Sequence, residues 1–343
     1  TDNPRAQVLA DTLDAATGEK IWTVETMPWS FTASPSLMSS PTLVRQGNRL
    51  ILVIGVWNSD RSATRNVQAG DLIALNASDG EELWRRVAAE VVPEEGHHGD
   101  NSFASASPTT DGQNLYAWFG SAGLYCYDLE GSPVWERDLG PVQTRLSFGE
   151  GSSPVVHDNR VMVIRDQDEQ SYLVVLDTRS GETLWQIDRD EPSAWATPLV
   201  VEHGSVTQVI TNGKNRVRSY NLKDGALIWE CGGQVSNVTP SPVSTADTVF
   251  CMSGYRGSAL FALPMDETGD LTDTAKIKWT KSRGTPYVPS PLLYDGWLYF
   301  NQSNNPIMSC LDAESGEIVI DRTRMPGVNR IYASPVGADD HIY

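Results

Sequence analysis

Histidine, carboxylate, guanidinium and aromatic side chains gather at a few points of this 343-residue chain. His97, His98 and Asp100 carry the donor types of a metal site. Adjacent histidines seldom aim at one ion and no third histidine is near, so a polar loop is the leading reading and a metal the weaker one. Arg145 and Glu150 suit an acid–base pair or a substrate clamp, and equally an ion pair that only holds a loop. Trp195, Tyr287 and Tyr332 offer flat apolar faces with polar edges, which fit a sugar ring or the packing between neighbouring elements. Asn237, Arg283, Asn301 and Arg330 complete the set of ligand-binding candidates. The chain contains no Gly-x-Ser-x-Gly turn, phosphate loop or HExxH helix, so no catalytic residue is assigned. Two carboxylates acting on a glycosidic bond would leave no fixed spacing to read.

What must position these residues is a repeat. Leu13–Trp22 reads LDAATGEKIW, Leu75–Trp84 LNASDGEELW, Leu176–Trp185 LDTRSGETLW and Tyr220–Trp229 YNLKDGALIW. Tyr127–Trp135 is one residue shorter, and Leu311–Ile320 ends in Ile. A second marker, Ser-Pro or Thr-Pro, falls at Pro41, Pro108, Pro154, Pro198, Pro242, Pro291 and Pro335. After a first interval of 67 residues the spacing is 44 to 49, the length of a four-stranded propeller blade. Helical repeats would place apolar residues every third and fourth position, whereas this chain has short apolar runs. In Ser153–Trp185, for example, VVH, RVMVI, YLVVL and ETLWQI read as four strands separated by polar turns. The Asp or Asn of the phrase can bond backbone N–H groups just ahead, and the Gly can take the positive φ that closes the turn. Proline is tolerated at the first residue of a strand because it has no N–H to donate.

The expected fold is therefore an all-β propeller of four-stranded antiparallel blades in one domain spanning 1–343. Blades are expected near 40–84, 107–135, 153–185, 197–229, 241–279 and 290–320. A seventh would combine 334–343 with 6–24 and close the ring by pairing N- and C-terminal strands, which removes exposed edges. Eight blades is the alternative, hinted at by Ser34-Pro35. In such a blade the second-to-third loop and the connection to the next blade emerge on one face, and the Asp-to-Gly turns on the other. The first face collects the candidates above, together with Trp57, Asn58, Asp60, Arg61, Asp166, Asp168, Asn212, Lys214, Asn215, Tyr255, Arg256, Asn304 and Asn305. A ligand is expected there, since loops on a rigid scaffold carry function more often than the scaffold.

Charge narrows the partners. With 26 basic and 44 acidic residues the net charge is −18, which argues against nucleic acid or an anionic membrane. No apolar run reaches a membrane-spanning length. The start without Met or a signal peptide reads as a mature form. Cys126 and Cys310 occupy equivalent strand positions and read as small core residues. Cys231 and Cys251 lie in adjacent blades, with a disulfide the lesser reading.

The LDAxTGxxxW phrase, matched closely at Leu13–Trp22 and Leu176–Trp185, resembles the pyrroloquinoline-quinone-type propeller repeat along essentially the whole chain. Stretches 94–108, 148–156 and 283–293 resemble exported propellers of planctomycete-type bacteria. The resemblance implies the blade. It also implies either quinone-dependent alcohol oxidation with calcium or a cofactor-free scaffold of outer-membrane protein assembly. The dehydrogenases typically carry an adjacent Cys-Cys disulfide against the quinone, and this chain has no adjacent cysteines. The expectation is thus a non-catalytic binding or scaffold propeller, exported to the periplasm or beyond, and monomeric. It would recognise a protein partner or a small polar or carbohydrate ligand. A quinone-dependent or carbohydrate-active enzyme is the alternative.

Overall fold

A computed structural model describes residues 9–13, 20–25, 40–58, 68–93 and 95–343. Within them the chain is strand and loop, with two short 3-10 turns at Gly120–Ala122 and Arg145–Ser147. Six sheets run in chain order, each built on a four-strand meander, with a fifth short strand added to the fourth sheet, and they are called blades 1 to 6. Blade 1 comprises Thr42–Gln46, Arg49–Asn58, Gln68–Asn76 and Glu82–Val91, and blade 2 Thr109–Thr110, Asn114–Trp118, Leu124–Asp128 and Pro133–Arg137. Blade 3 comprises Val155–His157, Arg160–Arg165, Ser171–Asp177 and Thr183–Arg189. Blade 4 has Leu199–His203, Val206–Asn212, Val217–Asn221 and Leu227–Cys231, and blade 5 Val243–Ser244, Thr248–Ser253, Ala259–Pro264 and Trp279–Lys281. Blade 6 ends the series with Leu292–Tyr294, Trp297–Asn301, Ile307–Asp312 and Ile318–Arg324. This is the pattern of a β-propeller, as the repeat predicts.

Leu9–Leu13 pairs with Lys20–Glu25, and Gly337–Ala338 with His341–Ile342; each pair is a two-stranded sheet of its own. Ser34-Pro35, Asp60 and Arg61 lie outside the described residues. The chain divides into two compact units, Thr1–Val163 with Val175–Leu184, and Ile164–Val174 with Trp185–Tyr343.

In the first unit the core lies between blades 1 and 2. Val53, Leu72 and Ala74 of blade 1 pack with Leu115, Ala117 and Tyr127 of blade 2. In the second unit Ile210, Val217 and Trp229 meet Val249, Cys251 and Leu263, and Phe250 and Leu260 meet Leu298, Phe300 and Leu311. Second and third strands are buried on both faces, which explains their unbroken apolar runs. The fourth strands alternate because one side faces solvent.

The repeated Trp and Gly form one joint. Trp84 Nε1 donates to the Leu129 carbonyl at 2.9 Å and Trp135 Nε1 to that of Thr178 at 2.9 Å. Trp185 reaches Leu222 and Trp279 reaches Glu314, both at 3.0 Å. Each indole covers the glycine of the turn it bonds. A Cβ on Gly131, Gly181, Gly225 or Gly316 would come within 2.6–2.9 Å of the ring, and all four have φ of 69–79°. The glycine is therefore required twice, for the left-handed turn and for the close approach. The turn's acid does its part locally: Asp177 Oδ1 accepts from the N–H groups of Arg179 and Ser180, both at 2.9 Å. The Ser180 and Arg179 N–H groups hold the Asp177 carboxyl below its ordinary pKa.

Trp229 is the exception. Its side chain is fully buried, yet Nε1 has no partner among the described residues. The turn that should receive it is replaced in blade 5 by a longer excursion, in which Gly269–Asp270 pairs parallel to the Trp229 strand. Met265 and Leu271 of that excursion pack in the same core as Trp229, keeping burial while losing the acceptor.

The Ser of the Ser-Pro marker has a role that the proline conceals. Ser107 N–H donates to Ser153 Oγ at 2.9 Å, Thr197 N–H to Ser241 Oγ at 3.1 Å, Ser241 N–H to Ser290 Oγ at 3.0 Å and Ser290 N–H to Ser334 Oγ at 2.9 Å. Each hydroxyl satisfies a backbone donor of the preceding blade, at the start of its innermost strand.

Candidate functional site

The strand order 1-2-3-4 within a blade places the second-to-third loop and the outgoing connection at one end of the sheet. In the first unit this end is built by loops 95–106 and 140–152. Asn101 organises them: its Nδ2 donates to the carbonyls of Phe148 (2.8 Å) and Glu150 (2.9 Å). The two histidines are folded into this loop. His97 sits edge-on to Phe103 at 4.9 Å and His98 edge-on to Phe148 at 5.2 Å. His98 Nδ1 accepts the Asp100 N–H at 3.1 Å. Among the described residues no group of three or more His, Cys, Asp or Glu is arranged to hold a metal. Arg145 is exposed on its 3-10 turn, while Glu150 is buried against Gly120.

In the second unit the same end has a buried polar floor. Asn212, Gln234, Asn237, Ser253, Thr285 and Asn301 are all buried there. Asn212 Nδ2 donates to the carbonyls of Pro240 (3.0 Å) and Met252 (2.9 Å), and Thr285 Oγ1 to that of Ser253 at 2.7 Å. Asn212 Oδ1 and Gln234 Nε2 are buried without a partner among the described residues, an acceptor and a donor suited to a polar guest. Above the floor, Tyr287 packs tilted against Tyr255, ring centres 4.8 Å apart, and the Arg256 guanidinium lies 5.2 Å from the Tyr255 ring. Arg330 lies 4.4 Å over Tyr332. Asn304 ties the two aromatic segments together: its Oδ1 accepts the Val288 N–H at 3.1 Å and its carbonyl the Ile331 N–H at 3.0 Å. Trp195 N–H donates to Val238 at 2.7 Å, beside Asn237.

The candidates therefore separate by role. Tyr287, Arg330 and Tyr332 belong to one connected surface, Asn237 and Asn301 to the buried floor, and Arg283 lines a groove with Lys281 and Arg322. Asp166 is no loop-face group: Arg189 holds it in a buried two-bond ion pair at 2.7 and 3.0 Å. Asn304, Asn101 and the Ser-Pro serines carry more of the geometry than their sequence context signals. The cysteines are all buried and free, Cys231 and Cys251 included. Burial pushes the Cys126 thiol up to about 12 and that of Cys231 up to about 11.

The family model described as outer membrane protein assembly factor BamB matches residues 6–94 and 68–321. The chain belongs to this PQQ-like propeller family. No curated protein sequence matches it. Among solved structures, BamB from Moraxella catarrhalis aligns at TM-score 0.60 and 16% identity, covering 93% of this chain and 85% of that one. The quinohemoprotein alcohol dehydrogenase of Comamonas testosteroni aligns at 0.65 and 12%, covering 96% and 66% respectively. A europium-containing methanol dehydrogenase aligns at 0.64 and 9%, covering 97% and 78%. At these identities the structures show a common propeller fold.

Membership in the BamB family makes the quinone question concrete. The cysteines are isolated in sequence and sequestered in separate strands, so the adjacent pair that the repeat's dehydrogenases set against the quinone is not present. No helix among the described residues is long and apolar enough to cross a membrane.

Proposed function

We propose that this propeller is a non-catalytic binding scaffold that docks a protein partner on the face carrying Tyr255, Tyr287, Arg330 and Tyr332. The observation that carries the reading is the match of nearly the whole chain to an assembly-factor family. The surface chemistry supports it. Packed tyrosines and a guanidinium over a ring are rigid, amphipathic groups of the kind enriched at binding hot spots. They rest on a buried, hydrogen-bonded floor, which limits the entropy lost when a partner binds. The family's description points to a partner in outer-membrane protein assembly, and the site of action on this reading is the periplasm. The protein works as a monomer.

Photocrosslinkers placed at Tyr287 and Tyr332, and as controls at exposed Leu184 and Val319, test this in the native host. Capture of the same envelope protein from the first pair, and not the second, is expected. Capture from neither or from all four overturns the docking face. Saturable binding of pyrroloquinoline quinone with calcium, accompanied by alcohol oxidation, overturns the non-catalytic reading. Glycan turnover would do the same.

A further inference from the structure

A groove of about 290 Å³ opens in the second unit between the outer strand of blade 5 and the outer half of blade 6. Phe300 and Leu311, each 2% exposed, form apolar wall, and Ile318, half exposed, flanks them. The polar lining is lopsided: Lys281, Arg283 and Arg322 face one carboxylate, Asp321. Asp321 accepts from Arg322 Nε at 3.1 Å. Lys281 and Arg283 have no side-chain partner among the described residues. In a chain with 44 acidic and 26 basic residues, three cations around one acid is a marked local reversal of charge.

The backbone is bent to produce it. Met308 pairs with Thr323 and Cys310 with Ile320, so Asp321 and Arg322 together oppose the single residue Ser309. Such a bulge re-aims the side chains it carries. Arg322 takes φ 42°, a left-handed conformation in which glycine is the usual residue. Its stem lies against Gly284, where a Cβ would come 3.3 Å from Arg322 Cδ. The strained arginine lines the same groove as the two unpaired cations and the apolar wall. Residues held in sparsely populated backbone regions cluster at active sites and ligand clamps.

We propose that this groove binds a small organic carboxylate with a short apolar body. The carboxylate would take charge-assisted hydrogen bonds from Lys281, Arg283 and the donors of Arg322 that Asp321 leaves unused. The apolar body would lie on Phe300, Leu311 and Ile318. The volume is at the small end of known ligand sites, roughly 300–1,000 Å³. An inorganic anion would leave the wall uncovered, and an uncharged tail would leave the cations unanswered. The site stands on its own residues and does not rest on the docking face.

Calorimetric titration of the full chain with hexanoate, hexanamide, acetate and inorganic phosphate tests it. Saturable hexanoate binding is expected, at least tenfold tighter than each of the other three. The Lys281→Ala/Arg283→Ala variant should lose at least tenfold in hexanoate affinity with its melting temperature unchanged, since both residues are exposed or half-exposed. Arg322→Gly should weaken binding while relieving the backbone; if that variant misfolds, the double variant decides alone. No saturable hexanoate binding, equal binding of hexanamide, acetate or phosphate, or an unaffected double variant would each overturn the proposal.

Discussion

Two groups of charge in the second unit use the same residue types to opposite ends. Around Arg189 all three guanidinium nitrogens are engaged inside the fold. Arg189 makes two bonds to Asp166 and also donates to Thr211 Oγ1 (2.9 Å) and Tyr220 OH (2.8 Å). Beside it Arg218 binds Glu191 at 2.9 Å and Glu230 at 3.0 Å, and Glu191 also accepts the N–H groups of Asn215 (2.7 Å) and Arg216 (2.9 Å). The Arg189 and Asp166 side chains are 0% and 2% exposed. Burial pushes the Glu191 carboxyl up, against the pull of Arg189 and the Asn215 N–H. Around Arg322, by contrast, two of three cations are uncommitted and the groove is open. Removing a charge from water is tolerable only when every lone pair and proton finds a partner. The first group spends its bonding on fixing a loop inside the fold, and the second keeps donors that water meets and that a ligand can take over.

The sharpest way to break this contrast is to remove one partner from each group. Asp166→Ala leaves Arg189 buried and uncompensated, and should cost about 3–5 kcal/mol of stability. Lys281→Ala should stay within about 0.5 kcal/mol, as exposed substitutions do. Urea unfolding of the two variants measures the difference, and similar losses would mean that the buried network is more weakly held than its geometry indicates.

Next in size is the joint between indole and turn. Gly181→Ala forces a left-handed alanine, about 1–2 kcal/mol, against a ring with no room for its methyl. A total loss of about 2–4 kcal/mol is expected, partly recovered when Trp135→Phe is added. Thermal unfolding of the single and double variants reads the coupling, and full additivity would place the clash elsewhere. The pair Trp185→Phe and Trp229→Phe sets the hydrogen bond against packing. Trp229→Phe loses more packing because its ring is fully buried, and Trp185→Phe alone also loses a bond to Leu222 worth about 1 kcal/mol.

These joints were legible in the sequence as a rhythm. The period, the Asp and Gly of the turn, and the strand runs depend on local chemistry, which neighbouring residues display. What each Trp touches was not legible, because its acceptor lies in another blade, about forty residues away. The Ser-Pro serines were hidden for the same reason: proline explained the strand start so well that the hydroxyl beside it went unread. Asp166 looked like a loop-face acid because sequence position says nothing of the arginine that closes over it. Arg283 stands out in the sequence as a loop candidate, but Lys281 and Arg322 carry no local signal, because the bulge in blade 6 and the neighbouring blade that gather them are not displayed by adjacent residues. Tyr287 and Tyr332 stand out in the sequence because large aromatics in connecting loops have few local reasons to be there.

The smallest expected effect lies between the two extremes, in an exposed but well-bonded pair. Lys278 Nζ sits 2.9 Å from Asp247 Oδ2, and Asp247 also accepts from the hydroxyls of Thr248 (2.8 Å) and Thr245 (3.0 Å). The Lys278 ammonium, with those hydroxyls, holds the Asp247 carboxyl down at about 2. In the unfolded chain an aspartate titrates near ~3.9. The folded state therefore binds the Asp247 proton less readily than the unfolded state. The pair's contribution to stability is complete above pH ~4 and disappears as the pH falls through about 2. Carboxyl-detected NMR titration should find the Asp247 midpoint near the lower value, moving up toward the ordinary one in Lys278→Met. Because both side chains face solvent, the same variant should barely move the melting temperature at neutral pH. If Lys278→Met destabilises the fold at neutral pH as much as Asp166→Ala does, exposure does not separate structural charge from available charge here, and the distinction between the two arginine groups loses its physical basis.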